Sequence, residues 1–272
     1  MLVLKALSQG YNFMFIQIRD PRADDYFLMD WVVYPLVILL LYLKFVLHWG
    51  PKWMKDRQPF QLDTILRVYN VFQICVNLYM FYLAIRYTYF FGDYSFICQP
   101  VDYSKSEEAM IIFNGGYLYF LMKVVDLLDT VFFVMRKKWN QITFLHVYHH
   151  AGMLVLSWVA VRYMCGGQSV FVGFINSFIH SVMYTYYLLA SLYPGSSKLN
   201  WWKKYLTQMQ IVQFALIALN WFTLSVSRDC GYPKWIGYVM LPQNFFVTTL
   251  FIDFYIKAYM RKKPTKVQKS TQ

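Results

Sequence analysis

Seven stretches of this 272-residue chain, at residues 26–48, 64–87, 110–135, 142–161, 168–193, 205–227 and 234–260, are apolar over roughly the 20 residues that a helix needs to cross a bilayer. Lipid offers no partner to backbone N–H and C=O groups, so stretches of this length are restricted to helices. Composition fits that solvent: 58% of residues are hydrophobic and only 15% are charged, against roughly 25% in a soluble domain. The second stretch is the least apolar, because Arg67, Asn70, Gln73 and Asn77 give it a polar stripe. Such stripes can be buried only against one another. The expectation is an all-α integral membrane protein, a seven-transmembrane-helix bundle forming one domain over residues 1–260. A lysine-rich tail at 261–272 is expected to be disordered and to anchor the chain at the basic face.

The net charge of +12 does not indicate nucleic acid, because it follows alternate loops. One set carries Lys52, Lys55 and Arg57, then Arg136, Lys137 and Lys138, then Lys198, Lys203 and Lys204. The opposite loops hold Asp93, Asp102, Glu107, Glu108 and Asp229. By the positive-inside rule the basic loops are cytosolic, the N-terminus is lumenal and the C-terminus is cytosolic. Lys5, Arg19 and Arg22 in the N-terminal segment run against this bias, while the other loops agree. The apolar runs of the first 25 residues are short, so the first span is expected to serve as the insertion signal. Cys98 and Cys230 fall in lumenal loops, where an oxidising compartment permits a disulfide joining the start of span three to the end of span six.

His146, His149 and His150 lie inside the fourth apolar stretch. Ionisable groups at membrane depth are costly and mark functional sites by default. At 1.5 Å per residue the three sit roughly 6–12 Å inside the cytosolic end of their span, in the same layer as Lys123, Asp126 and Asp129 at roughly 9–18 Å. Asn176 and His180 stand one turn apart on span five, and Gln210 and Gln213 lie on span six. The set opens toward the cytosol. One chemistry open to it is a di-iron centre, since HxxHH also occurs in membrane desaturases and hydroxylases. Those centres take about eight histidines, whereas this chain has five, with His48 remote, so no metal is expected. Without metal, imidazoles suit acid–base work or nucleophilic attack through an acyl-imidazole.

Four ordered motifs carry a resemblance. Lys123-Val-Val-Asp126-Leu-Leu-Asp129-Thr130 resembles the KxxExxDT-type motif of the very-long-chain fatty acid elongase (ELO) family, with Asp126 where glutamate is usual. His146-Val-Tyr-His149-His150 resembles its HxxHH box, residues 176–187 its NxxxHxxMYxYY box, and residues 207–213 its TxxQxxQ box. The likeness runs from about Asp25 to Met260.

The resemblance implies a 3-ketoacyl-CoA synthase (3-oxoacyl-CoA synthase) of the endoplasmic reticulum membrane. It would condense long-chain acyl-CoA with malonyl-CoA, with no bound cofactor. His149 would be the nucleophile with His150 or His146 beside it. His180 and Asn176 would orient malonyl-CoA, Lys123 would supply charge while paired with Asp126, and Gln210 and Gln213 would add donors. The competing mechanism is direct attack on acyl-CoA, the histidines acting only as donors and bases. Arg136, Lys137, Lys138, Lys203 and Lys204 would meet the CoA phosphates. Met183, Tyr184, Trp158, Tyr186 and Tyr187 are expected along the acyl tunnel. Partners implied are membrane lipid, the ketoacyl reductase, dehydratase and enoyl reductase of the same cycle, and a second copy of the chain. A seven-span receptor shares the topology, but Met135-Arg136-Lys137-Lys138 replaces the Asp-Arg-Tyr signature. A transporter is disfavoured by the lack of paired Gly/Pro-broken spans.

Overall fold

The computed structural model describes residues 17–260 together with Lys5, Gly10 and Asn12, with Asn200 as backbone alone. The basic segment 261–272 lies outside the described residues. Among the described residues the long elements are all helical and no strand occurs. They are α1 (Val33–Met54), α2 (Asp63–Tyr89), α3 (Glu107–Val125), α4 (Leu127–Met135), α5 (Phe144–Met164), α6 (Val170–Leu192), α7 (Ser197–Val226) and α8 (Lys234–Met260). Five of them, α1, α2, α5, α7 and α8, are long and apolar enough to cross a membrane. The other two apolar stretches, 110–135 and 168–193, correspond to α3–α4 and α6, which bear Lys123, Asp126, Asp129, Asn176 and His180.

Local sequence explains the boundaries. Ser106 caps α3 by accepting from the Ala109 N–H (3.2 Å), and Glu107 and Glu108 in the first turn complement the helix dipole. Thr143 caps α5 in the same way, accepting from the His146 N–H at 3.2 Å. Between α3 and α4 the backbone tightens: the Asp126 N–H still reaches Met122 O (2.8 Å), while the Asp129 N–H turns back to Asp126 O (3.2 Å). The α5–α6 turn passes through Gly167 at φ 58°, where an added Cβ would stand 2.8 Å from Gln99 O. Only glycine fits that close approach without strain.

The helices close into a ring. α3 packs against α2 and α5, α2 against α6, α6 against α7, α7 against α8, and α8 back against α5. α1 stands outside, against α5 and α4. Gly50 permits the second contact, since a Cβ there would lie 2.7 Å from Val134 Cγ1. This spatial order does not follow from span count. Short connections place the ends of α4 and α6 and the starts of α2, α5 and α7 at one end of the ring, hereafter the basic end.

The opposite end is tied by loops. Cys98 and Cys230 form a disulfide with a Cα–Cα distance of 5.6 Å, joining the α2–α3 and α7–α8 connections. Gln168 and Gln99 bond reciprocally, each N–H donating at 2.9 Å. The segment before α1 docks here through Arg22, which pairs with Asp20 at 2.7 Å, both side chains buried, and also donates to Asp102 O and Cys165 O. The Asp102 carboxyl beside it is held below its ordinary range because it accepts from Ser104.

The bond closes a separation of 132 residues, and losing such a link costs about 2–5 kcal/mol. Cys98→Ser, Cys230→Ser and the double variant should therefore lower the thermal midpoint in detergent by the same amount. Reductant should bring the wild-type protein down to that value and leave the variants unmoved; additive losses would show that the thiols act separately.

Candidate active site

A buried ion pair sits at the centre of the ring. Lys123 Nζ lies 2.8 Å from Asp126 Oδ2, with side chains 4% and 3% exposed. Taking two charges out of water costs several kcal/mol each unless every donor and acceptor finds a partner. Here they do. Gln73 Nε2 on α2 donates to Asp126 Oδ1 (2.8 Å), Asn77 Nδ2 donates to Gln73 O (2.8 Å), and Lys123 donates also to Asn176 Oδ1 on α6 (3.0 Å). His180 Nδ1, one turn along α6, is 3.9 Å from Asp126 Oδ2 and has no hydrogen bond. One turn toward the basic end, Asp129 Oδ2 accepts from Tyr184 OH at 2.9 Å. Asn70, Gln73 and Asn77 of the α2 polar stripe are thus buried on the inner side, with Gln73 reaching the Asp126 carboxylate, whereas Arg67 is exposed and donates to Ser191 O (3.1 Å).

The three α5 histidines divide between two environments. His146 and His150 lie side by side with ring centroids 4.3 Å apart and planes tilted by 47°, and His146 Nε2 is bonded to Thr130 Oγ1 (2.9 Å), itself bonded to Tyr42 OH (2.9 Å). That chain ties His146 to α4 and α1. His149 points the other way, with its ring edge-on to Phe214 (6.1 Å) and Phe251 (6.3 Å). It lines a chamber of about 50 Å³ with Asn176, Gln213, Tyr119, Tyr148 and Gln243. Gln213 Oε1 in that set is buried and lacks a partner. Gln210, by contrast, has Met183 Sδ as its contact (3.8 Å) and does not line the chamber.

Next to the chamber lies a larger, almost wholly apolar cavity of about 230 Å³. The two share Tyr119, Met153, Leu156, Val172 and Met240, which stand at their common boundary, here called the collar. The far end of the cavity reaches Gly166, Ser169, Trp221, Tyr232 and Trp235, beneath the disulfide-tied loops. An amphiphile with its reactive group beside His149 and an alkyl chain in this cavity would fit the division of polarity.

Five residues expected along the acyl tunnel stand elsewhere. Trp158 does not line either cavity; its Nε1 donates to Leu28 O (2.9 Å) and its ring packs in the core beneath the segment before α1. Tyr184 is fully buried and spent on Asp129 and Asp126, while Tyr187 is 40% exposed on the outer surface. Met183 and Tyr186 pack near Tyr69, Leu206 and Trp202, again off the cavities. Aromatic periodicity cannot separate the inner from the outer face of a helix contacted on both. The cations lie at the basic end as expected, with Lys203, Lys204 and Lys138 exposed. Arg136 lies 3.8 Å from Asp63, and Lys137 donates to Lys55 O (3.2 Å). Sequence reading passed over Tyr119, Tyr148, Gln243 and Asn244. Tyr148 OH donates to Gln243 Oε1 (2.8 Å), and only the polar interruption beside Pro242 in α8 could have signalled that pair.

Comparison with known proteins agrees with this arrangement of motifs. Residues 27–267 match the model of the ELO: GNS1/SUR4 family. The chain belongs to that family. It is 42% identical to very long chain fatty acid elongase 4 of Homo sapiens over 254 residues, 93% of this chain and 80% of that protein. It is 40% identical to very long chain fatty acid elongase 7 of Drosophila melanogaster over 259 residues, covering 95% and 78% of the two chains. Very long chain fatty acid elongase 2 of Mus musculus is 42% identical over 252 residues, with coverage of 91% and 83%. Among the described residues of this ELO-family chain, no three His, Cys, Asp or Glu side chains gather as metal ligands.

The ion pair yields a stability test. Asp126→Ala strands a buried ammonium and should cost about 3–5 kcal/mol, and Lys123→Met should cost a similar amount by stranding the carboxylate. The Lys123→Met/Asp126→Ala double variant should lose less than the sum of the singles, read as thermal unfolding in detergent.

Proposed function

We propose that this chain is the condensing enzyme of very-long-chain fatty acid elongation, joining long-chain acyl-CoA to malonyl-CoA. The observation that carries the reading is the contact between the His149 chamber and the apolar cavity through one collar. An acyl thioester carbonyl held beside His149 would send its alkyl chain through the collar. The imidazole attacks that carbonyl, CoA thiolate leaves, and an acyl-imidazole forms on His149. Malonyl-CoA then loses CO2, and the resulting enolate carbon attacks the acyl carbonyl. The histidine is released, and the 3-ketoacyl-CoA is two carbons longer. Donors from Asn176 and Lys123, with His180 nearby, would stabilise the enolate oxygen. His150, whose ring centroid lies 6.0 Å from that of His149, would take up the proton that the attacking imidazole gives up.

In the same reading α3–α4 counts as one span and α6 as another, giving seven, with the basic end cytosolic and the disulfide end in the endoplasmic reticulum lumen. A disulfide at the end opposite the basic loops supports that orientation. Lys138, Lys203 and Lys204 would meet CoA phosphates at the cytosolic mouth. The 3-ketoacyl product calls for a reductase, a dehydratase and an enoyl reductase to complete the cycle, and these are the proposed partners.

Purified protein incubated with long-chain acyl-CoA alone is expected to release CoA and gain the acyl mass on His149, seen by intact and peptide mass spectrometry. Malonyl-CoA should discharge the adduct as 3-ketoacyl-CoA. Product without an adduct or early CoA release would favour direct condensation instead. A second test concerns the cavity: Ala160→Phe, which adds a ring to its wall, should shorten the longest acyl chain accepted while leaving turnover of shorter ones within about two-fold. An unchanged product distribution would remove this cavity as the acyl site.

A further inference from the structure

We infer that Tyr119 is a positioning residue which, together with Lys123, fixes the Asn176 amide so that its NH2 group faces the His149 chamber. The inference rests on the condensation reading above, in which Asn176 donates to the malonyl enolate. Asn176 is 3% exposed and its Oδ1 takes two hydrogen bonds, from Tyr119 OH and from Lys123 Nζ, each at 3.0 Å. The two ends of an asparagine amide are ordinarily hard to tell apart. Here chemistry decides, because an ammonium has only donors and must face the oxygen. With both lone pairs of Oδ1 engaged, Nδ2 points away from Lys123 and has no acceptor among the described residues. The side chain lines the chamber that holds His149. A donor held in this way costs no reorganisation when negative charge develops opposite it.

Tyr119 is built into place for this task. It stands one turn before Lys123 on α3, and the ammonium lies 4.6 Å from its ring centroid. Across the gap α6 presents Gly173, where even a Cβ would stop 3.8 Å from the ring, so no side chain crowds the tyrosine from that side. The ring itself belongs to the collar shared by chamber and cavity. One residue therefore touches the path of the acyl chain with its ring and the malonyl-side donor with its hydroxyl. An alkyl chain in the collar would pack on the ring and restrain the hydroxyl, linking occupancy of the cavity to orientation of the donor.

The test is a double-mutant cycle on purified full-length protein, using long-chain acyl-CoA and malonyl-CoA. Tyr119→Phe removes one oxygen and should keep the thermal midpoint within about two degrees. It should lower kcat about ten-fold, with KM for acyl-CoA changed less than about two-fold, as expected when an interaction serves the transition state. Asn176→Ala should lower kcat about a hundred-fold, the usual loss for one such donor. The double variant should be no slower than Asn176→Ala alone, since the hydroxyl then has no amide to hold. A Tyr119→Phe kcat within two-fold of wild type, or losses that multiply in the double variant, overturns the inference while leaving the condensation reading intact. Wild-type protein that turns over no acyl-CoA of any chain length overturns that reading, and the inference falls with it.

Discussion

The Lys123–Asp126 pair dictates more of this architecture than any other contact. Two opposite charges almost wholly removed from solvent are tolerable only when their remaining valences are filled, and no single helix can fill them. α3 supplies the ammonium and its joint with α4 the carboxylate, α2 supplies Gln73 to the carboxylate, and α6 supplies Asn176 to the ammonium. The three helices are thereby required to be neighbours at that depth. α2 and α6 meet along their length, with Phe81 stacked on Phe174 at 5.2 Å. The ring's other members, α5, α7 and α8, close around the cavity that this polar core leaves on its far side. Satisfying one ion pair thus goes a long way toward fixing helix order.

The same arrangement divides the interior into a polar chamber and an apolar cavity that meet at a collar. An amphiphilic acyl donor needs this division. Its thioester must meet histidine and amide donors, its alkyl chain must leave water, and its nucleotide portion must remain at the basic end. The closed, disulfide-tied end matters equally in the proposed reaction. A cavity bounded by Trp221, Tyr232 and Trp235 under linked loops has a fixed depth, whereas unlinked loops would let the floor move. The reciprocal Gln99–Gln168 bonds and the Arg22 network add to that rigidity.

Much of this was legible in the chain, because helical spacing is a strong constraint in a membrane. The i, i+3 step from Lys123 to Asp126 and the i, i+4 step from Asn176 to His180 place each pair on one face, and the structure brings all four together. The HxxHH spacing was only half informative. It puts three imidazoles within about one turn, yet His146 and His150 contact each other while His149 turns into the chamber. Which histidine faces inward depends on where α7 and α8 lie, and that is a property of the ring. Tyr119 and Gln243 escaped for a related reason: a tyrosine or glutamine on an apolar helix looks alike in sequence whether it faces lipid, core or cavity. Trp158 was misplaced because residues 26–32, read in sequence as the start of the first span, precede α1 and fold over it.

The helices that fall short of a simple membrane-span criterion are informative on this point. α3–α4 and α6 carry Lys123, Asp126, Asp129, Asn176 and His180, and the polar stripe made the span corresponding to α2 hard to read in sequence. A helix that must present charge and amide to the inside of a bundle cannot also be uniformly apolar. The residues that weaken its signature as a span are the ones whose mutual satisfaction holds the bundle together. In the proposed seven-span arrangement this trade is tolerable because the polar faces never meet lipid: Gln73, Asn77, Lys123 and Asp126 are each 3% exposed or less. Departures from the ideal membrane helix therefore locate the site, and their burial explains why the helices can remain in the bilayer while carrying it.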